Sequence, residues 1–225
     1  MFNFAHRSYT LELLDQPNIS AADIYTNMHE LNIINTWLGG HATTIKGFTS
    51  LCKNQTQLSV CEIGCGGGDN INAIYMYCKK HNINATFTGI DYNEHCIDFA
   101  KKKYSHLPAQ WICADAFAAD TQAYDIVFTS LFCHHFKEND VQRLAALMQS
   151  KSRLGYFIND LQRNRIAYAS IKILTSLFSK SHLVKNDAPL SVQRGFLRSE
   201  LQHLFSGAKV IWCWAFRYLV VFKQA

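Results

Sequence analysis

Apolar positions along this chain change their period, and the changes mark out elements. Ile24, Met28, Leu31, Ile34 and Leu38 recur every three or four residues, which predicts a helix. Ser20 is placed to cap it with Asp23 at the third helical position, and Gly39-Gly40 stop it. Residues 42–52 continue helically, with Ile45, Phe48 and Cys52 on one face. After the polar turn 53–57, strand-type and helix-type runs alternate. The strand entering residues 60–70 comes first, and a helix carrying Ile71, Ile74, Tyr75 and Cys78 follows. Strands are then predicted at 86–90, 111–113, 124–131 and within 153–160, with helices at 94–103 and around Val141, Leu144, Leu147 and Met148. A strongly apolar helix spans 164–179 and a final helix 192–205. The β-rich runs 210–214 and 216–222 share a minimal connection, so they read as an antiparallel hairpin. The pattern predicts an α/β fold with a mostly parallel sheet and a reversed last strand.

The length of 225 residues suits one domain, 1–225. It divides into a helical cap (1–57), a core (58–162), an insertion (163–192), and the final helix with its hairpin (193–225). No run of 18 apolar residues occurs and the start lacks a basic-then-apolar leader, which predicts a cytoplasmic protein without stable membrane insertion. None of the eight cysteines forms a Cys-x-x-Cys pair, and most lie in apolar runs, so neither a disulfide framework nor a zinc site is indicated. Charge is uneven: residues 1–150 hold 10 Lys+Arg against 14 Asp+Glu, while 151–225 hold 12 against 3. A basic end could meet nucleic acid, an anionic carrier or a membrane surface, but the cations are scattered singly, which reads first as a solvated basic face.

The chemistry concentrates in residues 60–70, Val-Cys-Glu-Ile-Gly-Cys-Gly-Gly-Gly-Asp-Asn. An apolar run ends in an acid, and glycines then let the backbone turn and approach a ligand, the place where open α/β sheets bind nucleotide-like molecules. Cys65 within the loop reads as packing. Asp91, at the tip of the second predicted strand, is placed to accept from two ribose hydroxyls, and either it or Asn93 is placed to cap the following helix. Asp115-Ala116, after the third, can accept from an adenine amino group beside a small neighbour, or form a turn. Trp37 and His41, with Asn35, sit at the end of the cap helix, over the ligand or in plain packing.

The run Glu62-Ile63-Gly64-Cys65-Gly66-Gly67-Gly68, followed in order by Asp91, Asp115-Ala116 and strand 124–131, resembles the motifs of class I S-adenosylmethionine-dependent methyltransferases. The resemblance covers the chain from about residue 58 to its end. It implies a Rossmann-like, seven-stranded sheet and S-adenosyl-L-methionine as cofactor. By it, Gly64, Gly66 and Gly68 approach the amino-acid part of that cofactor, and Glu62 helps hold the loop. Asp91 takes the ribose hydroxyls, Asp115 and Ala116 border the adenine, and Cys65, Tyr92 and Leu131 join the cofactor contacts. Residues 35–41, 131–136, 159–163 and 187–194 look like those of bacterial methyltransferases encoded beside type III polyketide synthases, which implies O-methylation of a phenolic or pyrone metabolite.

A sulfonium methyl is already activated, so the enzyme aligns the acceptor and excludes water. Deprotonating a hydroxyl acceptor helps, because a phenol titrates near 10. His134 and His135 are the candidate bases, His135 the preferred one, since adjacent histidines point in different directions. Asn159, Asp160 and Arg163 are expected beside the acceptor, with Leu174 and Phe178 of the apolar helix lining its pocket. That helix also suits a homodimer face. The fourth strand ends without a carboxylate and the fifth in Asn159-Asp160, so no magnesium is predicted. C-methylation of a quinone-like ring, methylation of nucleic acid, and a cofactor-binding scaffold without turnover are the competing readings. The absence of an Asn/Asp-Pro-Pro-aromatic run after the fourth strand disfavours base amines.

Overall fold

The computed structural model describes residues 3–16, 18–119 and 122–224. Helices α1 (Ala21–Trp37) and α2 (Gly40–Leu51) precede strand β1 (Gln57–Ile63). There follow α3 (Asp69–Lys80), β2 (Asn84–Asp91), α4 (Glu94–Lys103), β3 (Ala109–Cys113), β4 (Tyr124–Ser130), α5 (Glu138–Lys151) and β5 (Ser152–Leu161). The chain ends with α6 (Arg165–Phe178), α7 (His182–Arg194), α8 (Arg198–Leu204), β6 (Lys209–Cys213) and β7 (Arg217–Lys223). Short 3₁₀ turns lie at Leu13–Asp15 and Cys133–His135.

The seven strands are ordered β3-β2-β1-β4-β5-β7-β6. The first five are parallel, and β7 runs antiparallel to both β5 and β6. The reversed terminal strand is thus as the pattern predicts. Its period of two divides the core. Val60, Ile126, Phe157 and Leu219 face one layer with Phe48 of α2 and Ile71 of α3. Their neighbours Cys61, Val127, Ile158 and Val220 face the other, with Leu144 of α5 and Leu201 of α8. Strand order reverses between β1 and β4, so a crevice opens at their carboxyl ends.

The cap helix begins as expected, with the Ser20 side chain accepting from the Asp23 amide at 3.1 Å. The expected single helix over 192–205 is instead broken. Residues 195–197 leave the helical path because Phe196 pairs with the end of β5: its amide donates to the Leu161 carbonyl, and its carbonyl accepts from the Arg163 amide. A Cβ on Gly195 would stand 2.6 Å from the Leu161 carbonyl oxygen, so the break depends on that glycine. Helix α7 was not expected. It carries Pro189 in its interior, where proline removes a backbone donor, and it is held by Ser181 at its start and by long-range contacts. Segment 163–192 is therefore a helical hairpin of α6 and α7.

Candidate active site

Two cavities adjoin above the crevice. The first, of about 440 Å³, is walled by the β1–α3 loop, the ends of β2 to β4 and helix α1. The second, of about 330 Å³, lies between α1, the α6–α7 hairpin and the β6–β7 connection, and is mostly apolar. Among the described residues only Leu14, Leu31, Leu131 and His135 line both. These four residues are the boundary.

The loop of the first cavity is stitched to β2. The Gly64 and Cys65 amides donate to the Ile90 carbonyl, and the Gly66 amide donates to Asp91 Oδ2 at 2.8 Å. Gly64 has φ +70°, and a Cβ there would lie 2.3 Å from the Phe132 ring, so no other residue fits. Asp91 Oδ1 accepts from the Asn93 amide at 2.9 Å. Asn93, not Asp91, caps α4, accepting from the His95 and Cys96 amides. Each Asp91 oxygen keeps a further lone pair toward the cavity, which suits a pair of hydroxyl donors. Burial raises its pKa, partly offset by the two amide hydrogen bonds. Tyr92, Cys65, Gly66, Ala116 and Leu131 also line this cavity. So does Asp115, whose Oδ1 accepts from the Phe117 amide, a turn that leaves its second oxygen available. Turn-former and ligand acceptor are compatible there.

Glu62 and Gly68 do not line the cavity. Glu62 is fully buried at the end of β1, where neither oxygen has a well-formed hydrogen bond among the described residues. Burial, then Asp69 and Asp91, push its pKa well up. An interaction with the Asn70 side chain, just past the loop, works against that rise, and the net effect favours the neutral form of the buried carboxyl. Gly68 lets the loop close on Trp111, whose ring would lie 2.5 Å from a Cβ. Asp69, at the start of α3, accepts from Asn35 at 2.9 Å and pairs with His41 at 2.8 Å. Burial would raise the Asp69 pKa, but His41 and Asn35 bring it below the usual carboxylate value. Thus His41 clamps the loop and lines neither cavity. Trp37 is 78% exposed and likewise lines neither.

The second cavity is built around the turn after β4. Leu131 takes φ +53°, a left-handed conformation that costs a branched residue about 1–2 kcal/mol, and its amide donates to the Asn159 carbonyl. The strained turn swings His134 and His135 into the cavity wall. His134 is 2% exposed; its Nδ1 stands 2.7 Å from Asp160, and its Nε2 3.5 Å from Glu12. Burial would lower its pKa, but Asp160 and then Glu12 raise it to about 9. His135 Nδ1 lies 3.2 Å from Asp15 and Nε2 3.8 Å from Glu12. Asp15 is lowered to about 2: burial opposes the shift, and His135 and Arg194 overcome it. Both histidines line the second cavity, and of the two His135 also lines the first.

Glu12, His134 and His135 bring three ligand-type atoms within 4.8 Å of one another. Glu12 is already met by the Ser191 hydroxyl at 2.8 Å and by Arg194 at 3.8 Å. These internal partners balance it without an ion.

Of the other residues expected beside the acceptor, Leu174 lines the cavity. Phe178 is 77% exposed and does not. Asn159, Asp160 and Arg163 are buried framework. Asn159 donates to the Gly40 carbonyl, Thr44 and Ser130. Asp160 accepts from the His134 amide and ring and from the Leu161 amide. Arg163 pairs bidentately with Glu200 and donates to the Phe4, Ala5 and Gly195 carbonyls. Sequence reasoning missed Glu12, Leu14 and Asp15. Two acids flanking a leucine pair were the available signal, but the segment has no periodicity.

Residues 60–155 match the family model of a methyltransferase domain. No curated protein matches the chain significantly. Among solved structures, the plantazolicin methyltransferase BpumL in complex with SAH is 24% identical, with a TM-score of 0.59 over 85% of this chain and 72% of that one. Human N-acetylserotonin methyltransferase in complex with SAM gives 14% identity and a TM-score of 0.64, over 92% and 57%. Magnesium protoporphyrin IX methyltransferase from Synechocystis PCC 6803 gives 11% and 0.58, over 93% and 100%. The fold is therefore the Rossmann-like class I methyltransferase fold.

Proposed function

We propose that this protein is an S-adenosylmethionine-dependent methyltransferase that methylates a hydroxyl group of a small, apolar, ring-containing metabolite held in the second cavity. The observation that carries this reading is the pair of cavities meeting at only four residues, one of them a histidine. The structural relatives with bound SAM or SAH support the cofactor. So does the first cavity, whose wall includes Asp91 with acceptor capacity left on each oxygen.

Bound in the first cavity, S-adenosylmethionine supplies a sulfonium methyl that needs no further activation. The chain's residues do the remaining work. Leu14, Leu31 and Leu131 exclude water from the boundary and confine the acceptor oxygen. His135 takes the hydroxyl proton as that oxygen attacks, and Asp15 holds its ring and stabilises the imidazolium. His134, already protonated near neutral pH, keeps Glu12 and Asp160 in place and is not the base. The resemblance of residues 131–136 and 187–194 to methyltransferases near type III polyketide synthases directs the substrate class toward phenols and pyrones.

His135→Ala is expected to lower kcat by about 10²–10⁴-fold on a phenolic or pyrone acceptor, with SAH affinity unchanged by calorimetry. Full activity of that variant sinks the base assignment. A carbon-methylated product identified by mass spectrometry and NMR replaces O-methylation with C-methylation.

A further inference from the structure

A helix packed on a core needs one apolar face, and α6 has two. Ala167, Ile171 and Thr175 are buried against the rest of the chain. On the far side Ile166, Ile173 and Leu177 recur at i, i+7 and i+11 and are 65%, 59% and 69% exposed. Between the two faces Leu174 is part exposed and lines the acceptor cavity, and Trp214, 66% exposed, lines the same cavity from the β6–β7 connection. An apolar surface thus runs continuously from inside the cavity to the outward stripe.

The charged residues of segment 161–186 are all cations. No acidic residue occurs between Asp160 and Asp187. Arg165, Lys172, Lys180 and Lys185 in that interval are all exposed. The neighbouring acids are engaged: Glu30 accepts from the Ser179 hydroxyl and the Lys180 and Ser181 amides, and Asp23 pairs with His182. A second copy pairing across this stripe would set Lys172 and Arg165 against cations of the same helix, which disfavours self-association. An anionic lipid surface offers apolar depth and complementary charge together. At 14 residues, about 21 Å, α6 is too short to cross a bilayer and suits lying in its interface.

We infer that the outward face of α6 docks on an anionic phospholipid surface and turns the mouth of the acceptor cavity toward the bilayer. An apolar acceptor then passes from lipid to cavity without crossing water. That route rests on the acceptor-cavity reading above, whereas the docking does not.

The test is co-sedimentation of the full chain with phosphatidylcholine vesicles and with two-to-one phosphatidylcholine–phosphatidylglycerol vesicles. Binding is expected on the mixed vesicles, at least about tenfold weaker on phosphatidylcholine alone, and diminishing with salt. Ile173→Ser with Leu177→Ser should weaken it by about 100-fold, and each of Lys172→Ser and Lys180→Ser by about fivefold. All these side chains are exposed, and unchanged SAH affinity in the variants verifies their folding. No binding of the wild type to mixed vesicles, or equal binding by the Ile173/Leu177 variant, overturns the proposal. A wild-type dimer that this variant turns into a monomer, with no vesicle binding, assigns the face to a second copy instead. Vesicle binding without SAM or SAH binding keeps the docking and removes the methyltransferase reading.

Discussion

Replacing His134 with glutamine removes a proton that the fold holds between two carboxylates. Burial by itself would lower the His134 pKa, but the Asp160 carboxylate, 2.7 Å away, and then Glu12 lift it from 6.5 to about 9. That rise corresponds to about 3 kcal/mol of preference for the protonated ring in the folded state. Because the group is buried, salt screens little of it. The contribution is complete below the unfolded value near 6.5 and is lost as pH climbs through about 9, since the folded chain holds a proton there that the unfolded chain does not. Glutamine keeps hydrogen-bonding capacity but cannot titrate. Urea unfolding of wild type and His134→Gln across this range should therefore show a stability gap that shrinks by about 3 kcal/mol between about pH 6 and about pH 10. A gap that stays constant means that His134 is neutral in the fold, and the ordering of Glu12 and Asp160 around an imidazolium is then wrong.

Glu62→Gln should stabilise the ligand-free chain by more than about 1 kcal/mol near neutral pH, because it removes an orphaned buried carboxyl. With the folded pKa raised, wild-type stability falls as pH rises above about 4.5. The variant should lack this fall in urea titrations. Gly64→Ala places a Cβ 2.3 Å from the Phe132 ring at a φ of +70°; a loss of about 2 kcal/mol or more and abolished SAH binding are expected from thermal unfolding and calorimetry. Ile171→Trp fills part of the second cavity and should raise the acceptor KM at least about tenfold in steady-state assays while leaving SAH affinity intact. A parallel loss of both would mean that the two cavities are not separate sites.

The sheet was legible because its signals are local. Val60 through Ile63, Ile126 through Phe128 and Phe157-Ile158 announce buried strands, and Gly64 to Gly68 announce the loop after the first of them. Asp91, Asp115 and Ala116 follow from position at strand ends. The acceptor side was less legible because its parts answer to distant partners. Residues 7–15 have no period of their own; their order comes from groups such as Arg194 and Asp187. Helix α7 contains a proline, and Phe196 breaks the helical path for a strand end far back in the chain. Asn159, Asp160 and Arg163 were expected beside the acceptor, but polarity at a strand end does not reveal whether a side chain meets a ligand or a buried neighbour. Here all three meet neighbours.

The attachment of residues 7–15 to helix α7 has a consequence for how acceptor selectivity can change. The Ser8 amide donates to the Gln193 carbonyl, the Leu13 and Leu14 amides donate to Asp187, Ser191 donates to Glu12, and Arg194 donates to the Thr10 carbonyl. Leu14, Glu12, Asp187 and Ser191 all stand in the wall of the second cavity, where the proposed function puts the acceptor. The two segments are nearly the whole chain apart in sequence, yet they form one removable part. A chimera that grafts the α6–α7 hairpin of a relative onto this core will strand buried acids and amides unless residues 7–15 travel with it. Selectivity is therefore inherited in paired ends, while the cofactor half between them can be kept unchanged.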